Sequence, residues 1–116
     1  MRHQMHLQDN YHNMIHKGTK RIEVRLYDEK RRGIELGDEI EFVPMSGKVD
    51  PRDRCIMKVI GILRYQDFKE LFADYPMEML AEEGYSEDVL LRDLEKLYTP
   101  GLQATYGVVG FRLEKA

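Results

Sequence analysis

Residues 18–32 carry the densest set of chemically active side chains, in the order GTKRIEVRLYDEKRR. Successive side chains of a strand point to opposite faces, so a strand here would have one apolar and one ionic face. The apolar face would comprise Ile22, Val24 and Leu26, and the ionic face Arg21, Glu23, Arg25 and Tyr27. Burying unpaired charges is costly, so these groups must pair with one another or face a ligand. Two interpretations stay open: a solvated face with cross-strand ion pairs, and a recognition surface.

The recognition interpretation rests on side chains that suit a nucleotide. Cations such as Lys20 and Arg25 can bind phosphate, and the carboxylate of Glu23 can accept a hydrogen bond from a base amino group. An aromatic ring such as Tyr27 or Tyr65 can stack on a base. Packing is nevertheless the simpler explanation for any one tyrosine, because the chain has seven.

Charge is distributed unevenly along the chain, whose formal net charge is −3. Residues 17–32 hold seven Lys or Arg against three acids, whereas residues 67–95 hold ten acids against two cations. A basic segment can bind phosphate while acidic helices discourage indiscriminate binding. We therefore expect RNA or a nucleotide as the partner. The candidate contacts are Lys17, Lys20, Arg21, Arg25, Tyr27, Arg31 and Arg32.

Length and composition limit the number of domains and the class of protein. The 116 residues fit one domain over 1–116, and 42% hydrophobic with 34% charged residues is typical of a soluble folded protein. No apolar run reaches the roughly 18 residues that span a bilayer, and the first residues form no signal region.

The single Cys55 has no disulfide partner, so we expect a reducing cytoplasm. His12 and His16 lack companion ligands, so no metal or cofactor is expected. The oligomeric state stays open.

The remaining sequence predicts short strands and helices in mixed order, which favours an α+β fold. Gly18 is expected as a left-handed helix C-cap, and Asp9, Asp67 and Ser86 as N-caps. Glu70 would complete a capping box with Asp67. In the first half of the chain, the predicted elements are a strand near 3–6, a helix over 10–17, the charged strand, a strand over 39–43, a loop over 45–54 and a strand over 55–65 that bends at Gly61. They are followed by a helix after 67, a short helix over 77–83, a helix through 98 and a last strand over 106–113. The helix through 98 should bury a stripe of Val89, Leu90, Leu94 and Leu97.

The pattern Gly18-x-Lys20-x-x-Glu23-x-Arg25, with the later Gly37-Asp38 turn, resembles the signature of the ASCH family, which is related to PUA RNA-binding domains. The resemblance extends from near residue 3 to near residue 113. It implies a PUA-like small β-barrel flanked by helices, with a ligand cleft between the barrel and the helical section. It also implies binding of RNA or of a modified nucleoside, which is the function we favour.

One branch of this family consists of small amidohydrolases that remove the acetyl group from 4-acetylcytidine. Their working set is a lysine in the Gly-x-Lys turn, a threonine three residues later and a glutamate ahead of the late helix. Lys20 matches the lysine, and Glu83, with Glu82 as the alternative, matches the glutamate. Glu23 replaces the threonine; a carboxylate is a poor nucleophile for amides but can act as a general base. Other members resemble RNA-binding modules or have been linked to RNA cleavage. The alternative function is therefore a hydrolase of a nucleoside amide or of RNA, with Lys20, Glu23 and Glu83 as catalytic residues.

Overall fold

The computed structural model describes residues 1–48 and 54–116. Strands and helices follow one another in mixed order, which confirms the predicted α+β class. The elements are β1 (Arg2–Leu7), α1 (Asp9–Lys17), β2 (Ile22–Leu26), α2 (Glu29–Arg32), β3 (Glu39–Pro44), β4 (Cys55–Tyr65), α3 (Phe68–Asp74), α4 (Met77–Leu80), α5 (Glu87–Leu97), α6 (Pro100–Tyr106) and β5 (Val108–Lys115). Part of the predicted loop over 45–54 lies outside the described residues.

The five strands form one curled sheet in the order β1-β3-β4-β5-β2. Strand β1 pairs with β3 in parallel, and the other neighbours are antiparallel. This half-barrel with flanking helices confirms the predicted PUA-like architecture, with β1 and β2 as its two edges. The predicted bend at Gly61 is also confirmed, because the β4–β5 register shifts between Val59 and Gly61. We call the space between the β1 and β2 edges the seam.

Strand β2 is buried along its whole length. Its apolar residues join the core with Ile15, Phe68 and Phe111, all of which are fully buried. The interpretation of its other face as solvated is wrong for Glu23 and Arg25, which are also buried. Alternation along a strand indicates that two faces differ, but it does not indicate what covers either face.

The predicted caps are mostly confirmed. Gly18 ends α1 in the left-handed region with φ 86°, and its N–H donates to the Ile15 carbonyl. Asp67 accepts a hydrogen bond from the Glu70 N–H at 2.9 Å, while the Glu70 carboxylate accepts at 3.4 Å from the N–H of Gln66, one residue before the expected capping-box partner. Asp9 is not an N-cap: Gln8 holds that position, and the Asp9 carboxylate instead accepts from the Ser46 N–H at 3.1 Å.

The late helical section differs most from expectation. The Thr99-Pro100-Gly101 segment ends α5 and also begins α6, which the sequence analysis missed; the Thr99 hydroxyl accepts from the Leu102 N–H. Strand β5 consequently begins at Val108 and not at residue 106. In α5 only Leu90 of the predicted stripe is buried, whereas Val89 and Leu97 are 38% and 60% exposed. Within the described residues, no helix has the length and apolarity needed to cross a membrane.

Candidate functional site

A cavity of about 140 Å³ lies at the seam and is bordered by α1 and α5. Strand β2 contributes Glu23, Val24 and Arg25, and the end of β1 contributes His6 and Leu7. The remaining lining comes from elements far apart in the chain. It includes Tyr11 of α1, Leu90, Asp93, Leu94 and Leu97 of α5, and Lys20, Met45 and Tyr98 from connecting segments. The fold therefore places the charged strand against the cavity.

Lys20, Glu23 and Arg25 form a buried ionic group at this cavity, with exposures of 1%, 3% and 9%. The Nε and Nη2 atoms of Arg25 donate to one Glu23 carboxylate oxygen at 3.1 and 2.9 Å. The Lys20 Nζ lies 3.4 Å from the other oxygen, which also accepts from the Val24 N–H at 3.2 Å. One carboxylate thus sits between two cations and one backbone donor.

Lys20 is held by three polar partners. Its Nζ donates to the carbonyls of Ile22 at 2.8 Å and of Leu80 at 2.7 Å, and the Glu23 carboxylate is its ion-pair partner at 3.4 Å. Burial lowers the pKa of Lys20, and the Glu23 carboxylate opposes that shift. Three acceptors around one amine favour its charged form. Lys20 therefore ties β2 to the end of α4 as an ammonium.

The two partners of this lysine are also held in their charged forms. Burial acts to raise the pKa of Glu23, but the charges of Arg25 and Lys20 outweigh it and the net shift is downward. Burial acts to lower the pKa of Arg25, yet Glu23 and Tyr98 raise it overall. The group is thus a fixed arrangement of two positive charges and one negative charge.

Arg25 also joins the two sheet edges at the seam. Its Nη2 donates to the His6 carbonyl of β1 at 2.7 Å, while the rest of the side chain pairs with Glu23 on β2. A side chain thus makes the contact that a strand ladder would make in a closed barrel.

Tyr11 and Asp93 are site residues that sequence reasoning missed. The Tyr11 hydroxyl donates to Asp93 at 2.7 Å and lies 3.0 Å from the Tyr85 hydroxyl. Burial and these contacts raise the pKa of Tyr11, so it stays a neutral donor. Tyr11 and Asp93 are 82 residues apart, so no local spacing could have paired them.

The charges that line the cavity balance. Lys20 and Arg25 are positive, and Glu23 and Asp93 are negative. Most of the remaining lining is apolar or aromatic, including Leu90, Leu94 and the ring of Tyr98. Such a cavity suits a neutral ligand with hydrogen-bonding edges better than an anion.

The other predicted contacts lie outside the cavity lining. Lys17 and Arg21 are exposed near the start of β2, and Arg31 pairs with Asp28 at 3.0 Å beyond its far end. Arg32 is exposed and donates to the Tyr27 carbonyl at 3.1 Å. Glu83 is exposed between α4 and α5, and Glu82 there is half-buried. Tyr65 is half-buried and donates to Asp74. Of the predicted set, the cavity brings together Lys20, Glu23 and Arg25.

Other reactive side chains serve structural roles. Cys55 is buried, and burial raises the pKa of its thiol to about 11, which leaves it protonated and unreactive near neutral pH. The His12 ring hydrogen-bonds the Phe42 carbonyl at 3.1 Å. In the part of the chain that the structure describes, no group of three or more His, Cys, Asp or Glu could hold a metal ion.

The chain is similar to several known proteins. A family model described as the ASCH domain matches residues 5–115. The crystal structure of hypothetical protein PH0355 has 35% identity and a TM-score of 0.83, with 100% of both chains covered. The solution structure of PF0455 from Pyrococcus furiosus has 31% identity and a TM-score of 0.73, covering 99% of this chain and 97% of that one. ASCH from Zymomonas mobilis has 18% identity and a TM-score of 0.60, covering 98% and 67%. A comparison with curated proteins gives no match.

Proposed function

Because the chain belongs to the ASCH domain family, we propose that it binds a nucleoside, either free or within RNA, by holding the base in the cavity at the seam. The observation that carries the proposal is the buried Lys20, Glu23 and Arg25 group at the wall of that cavity. Such groups are expensive to bury, and a role in recognition accounts for their place beside an open space.

The hydrogen-bonding groups at the cavity match the edge of a base. Asp93 supplies a carboxylate oxygen as an acceptor, and Arg25 supplies guanidinium donors. A base edge presents amino donors beside carbonyl or ring-nitrogen acceptors, so it can use both kinds of group. The balanced charge of the lining favours such a neutral edge, because a phosphate would lose its hydration without a surplus of positive charge.

Size and wall chemistry support the same ligand. About 140 Å³ is below the roughly 300 Å³ at which pockets for drug-sized ligands begin, so one base fits better than a larger molecule. The rings of Tyr11 and Tyr98 and the side chains of Leu94 and Leu97 provide surfaces for a flat aromatic ligand.

Hydrolysis of a nucleoside amide or of RNA is the second candidate. The observation in its favour is that Lys20 and Glu23 lie 3.4 Å apart at the cavity. Both side chains are, however, held by other partners, which include the Ile22 and Leu80 carbonyls and Arg25. Proton transfer to a substrate would have to break these contacts, so binding is the better-supported function.

The binding test uses a variant that fills the cavity. Leu97 lines it and is 60% exposed, so Leu97→Trp can block the mouth without disturbing the core. Calorimetric titration with cytidine, uridine, adenosine, guanosine and 4-acetylcytidine should show binding of at least one by wild type. We expect Leu97→Trp to weaken it about tenfold or more, and the control Leu36→Trp, at a residue 65% exposed and outside the lining, to leave it unchanged. No binding by wild type, or equal binding by Leu97→Trp, would overturn the proposal.

The same preparations decide between binding and hydrolysis. We expect wild type to leave 4-acetylcytidine and a short RNA intact over hours. Turnover that is lost in Lys20→Ala and in Glu23→Gln or Glu83→Gln, with each variant folded and Cys55→Ala unaffected, would establish the hydrolase instead.

A further inference from the structure

Two arginines converge on one tyrosine beyond the end of β2. The guanidinium carbon of Arg64 lies 4.3 Å from the Tyr27 ring centroid, and that of Arg32 lies 5.0 Å from it. Arg32 ends α2 and Arg64 belongs to β4, so elements distant in sequence bring both cations to this ring. We call Tyr27, Arg32 and Arg64 the arginine cluster. Arg64 was not among the contacts that the sequence suggested.

The cluster carries positive charge that no ion pair among the described residues neutralises. Within residues 1–48 and 54–116, no carboxylate lies within ion-pairing distance of Arg32 or Arg64. This contrasts with neighbouring Arg31, which pairs with Asp28 at 3.0 Å. Two like charges held against one ring repel each other, and a bound anion would relieve that repulsion.

The cluster is close to the base cavity. Tyr27 directly follows the end of β2 and stands two residues after Arg25, so their Cα atoms are at most about 7 Å apart. Arg25 and Arg64 both align with Val109 of β5, which places their Cα atoms about 10 Å apart across the sheet. These spacings are comparable with the reach from a base to its own phosphate.

We infer that Arg32 and Arg64, stacked on Tyr27, bind the phosphate of the nucleotide whose base occupies the cavity. The inference rests on the proposed function and extends it, because it makes the ligand a phosphorylated nucleoside or an RNA strand. Guanidinium groups bind phosphate oxygens through paired N–H donors. Stacking on Tyr27 holds both groups in place before the ligand arrives, which lowers the entropy lost on binding.

The test measures how much a phosphate group on the ligand increases its binding affinity. Titrations use cytidine, its 5′- and 3′-monophosphates, the dinucleotide CpA and inorganic phosphate. We expect a phosphorylated ligand to bind about tenfold more tightly than cytidine. A gain for a monophosphate indicates a free nucleotide, and a gain for CpA alone indicates an RNA strand. Arg64→Gln and Arg32→Gln should each remove most of this gain while leaving the affinity for cytidine unchanged.

Controls separate this site from general electrostatics and from the base cavity. Arg92→Gln makes the same charge change at an exposed position of α5 outside the cavity lining. This variant should therefore still bind the phosphorylated ligand more tightly than cytidine, as wild type does. Arg64→Lys retains charge but not the paired donors, and should give an intermediate affinity. Melting curves check that every variant is folded.

The outcomes distinguish this inference from the proposed function. If cytidine binds but phosphate adds nothing, or if Arg64→Gln behaves like Arg92→Gln, the arginine cluster only packs and the inference is wrong. If cytidine fails to bind but inorganic phosphate shifts the Nε–H NMR signals of Arg32 and Arg64, the phosphate site stands and the base-binding proposal fails.

Discussion

Glu23 holds together the buried charges of the site. Its carboxylate receives hydrogen bonds from Arg25 and from the Val24 N–H, and it lies beside Lys20. Removing one partner from a buried ionic group leaves the others without compensation, which is more costly than never having buried the group.

We therefore expect Glu23→Gln to lower the free energy of unfolding by about 3–5 kcal/mol. Urea denaturation would measure this, with Glu39→Gln as the control, because Glu39 pairs with Arg2 on the exposed surface. That control should cost about 1 kcal/mol or less. A loss below about 1 kcal/mol for Glu23→Gln would mean that the buried cations find other partners.

Gly18 illustrates a backbone requirement that the sequence did predict. With φ at 86°, it occupies the left-handed region, and an added Cβ would meet no atom within 4 Å. The cost of a side chain here is therefore backbone strain alone. Gly18→Val should destabilise the fold by about 1 kcal/mol or more, and Gly18→Asn by less, because asparagine tolerates this region. Equal melting temperatures for the two variants would contradict this explanation.

At the residue scale, the sequence predicted the members of the ionic group but not their surroundings. Lys20, Glu23 and Arg25 stand within six consecutive residues, so their proximity follows from chain connectivity. Asp93 and Tyr98 come from the late helical section. Their position at the cavity depends on tertiary packing, which leaves no periodic signal in one sequence.

At the scale of elements, the Gly37-Asp38 turn anchors the first strand. Asp38 accepts from the His3 ring at 2.8 Å, from the Glu35 N–H at 3.0 Å and from the terminal ammonium at 3.2 Å. The His3 contact, the Glu35 N–H and the ammonium lower the pKa of Asp38 from 3.8 to about 2.

This shift predicts a specific loss of stability in acid. Because the pKa is lower in the folded state, the contribution of Asp38 is complete above pH 3.8 and is lost as the pH falls toward about 2. Melting temperatures of wild type and Asp38→Asn should therefore differ at neutral pH and converge near pH 2. Glu114→Gln, at an exposed residue of β5, serves as the control. A constant difference between wild type and Asp38→Asn across this range would contradict the prediction.

The elements that were predicted correctly have local signals with one interpretation, whereas the missed helix α6 begins at a segment whose signal has two. A run of β-branched and apolar residues with a glycine bend indicated β4, and a left-handed glycine indicated the end of α1. The Thr-Pro-Gly segment was interpreted only as a helix terminator. Threonine before proline is equally suited to begin a helix, and Thr99 does so for α6.

At the scale of the whole molecule, burial reduces the number of cations available to RNA. The basic segment suggested six or seven contacts, but Lys20 and Arg25 are buried and paired with Glu23. Arg31 is also engaged by Asp28. Lys17 and Arg21 lie near the start of β2, about 13 Å from its other end. An RNA strand bound at the arginine cluster would therefore make few contacts between its phosphates and the protein.

We expect weak RNA binding with a shallow salt dependence. Two phosphate contacts on a single strand give a slope of about −1.4 for log K against log salt concentration. Arg64→Gln should reduce the slope by about 0.7, and replacing Arg31 and Arg32 by Glu should weaken binding further. Titrations at several salt concentrations measure both. A slope of about −4 or steeper would mean that the whole basic segment contacts RNA.

The seam has a consequence for how the protein avoids association with itself. Open sheet edges present unpaired backbone groups that recruit strands from other molecules. Here the Lys20 ammonium donates to the Ile22 carbonyl, and the Glu23 carboxylate accepts from the Val24 N–H. The Arg25 guanidinium donates to the His6 carbonyl on the other edge. These three side chains take the place of a missing sixth strand. Substitutions in the site should therefore promote edge-to-edge aggregation as well as impair recognition.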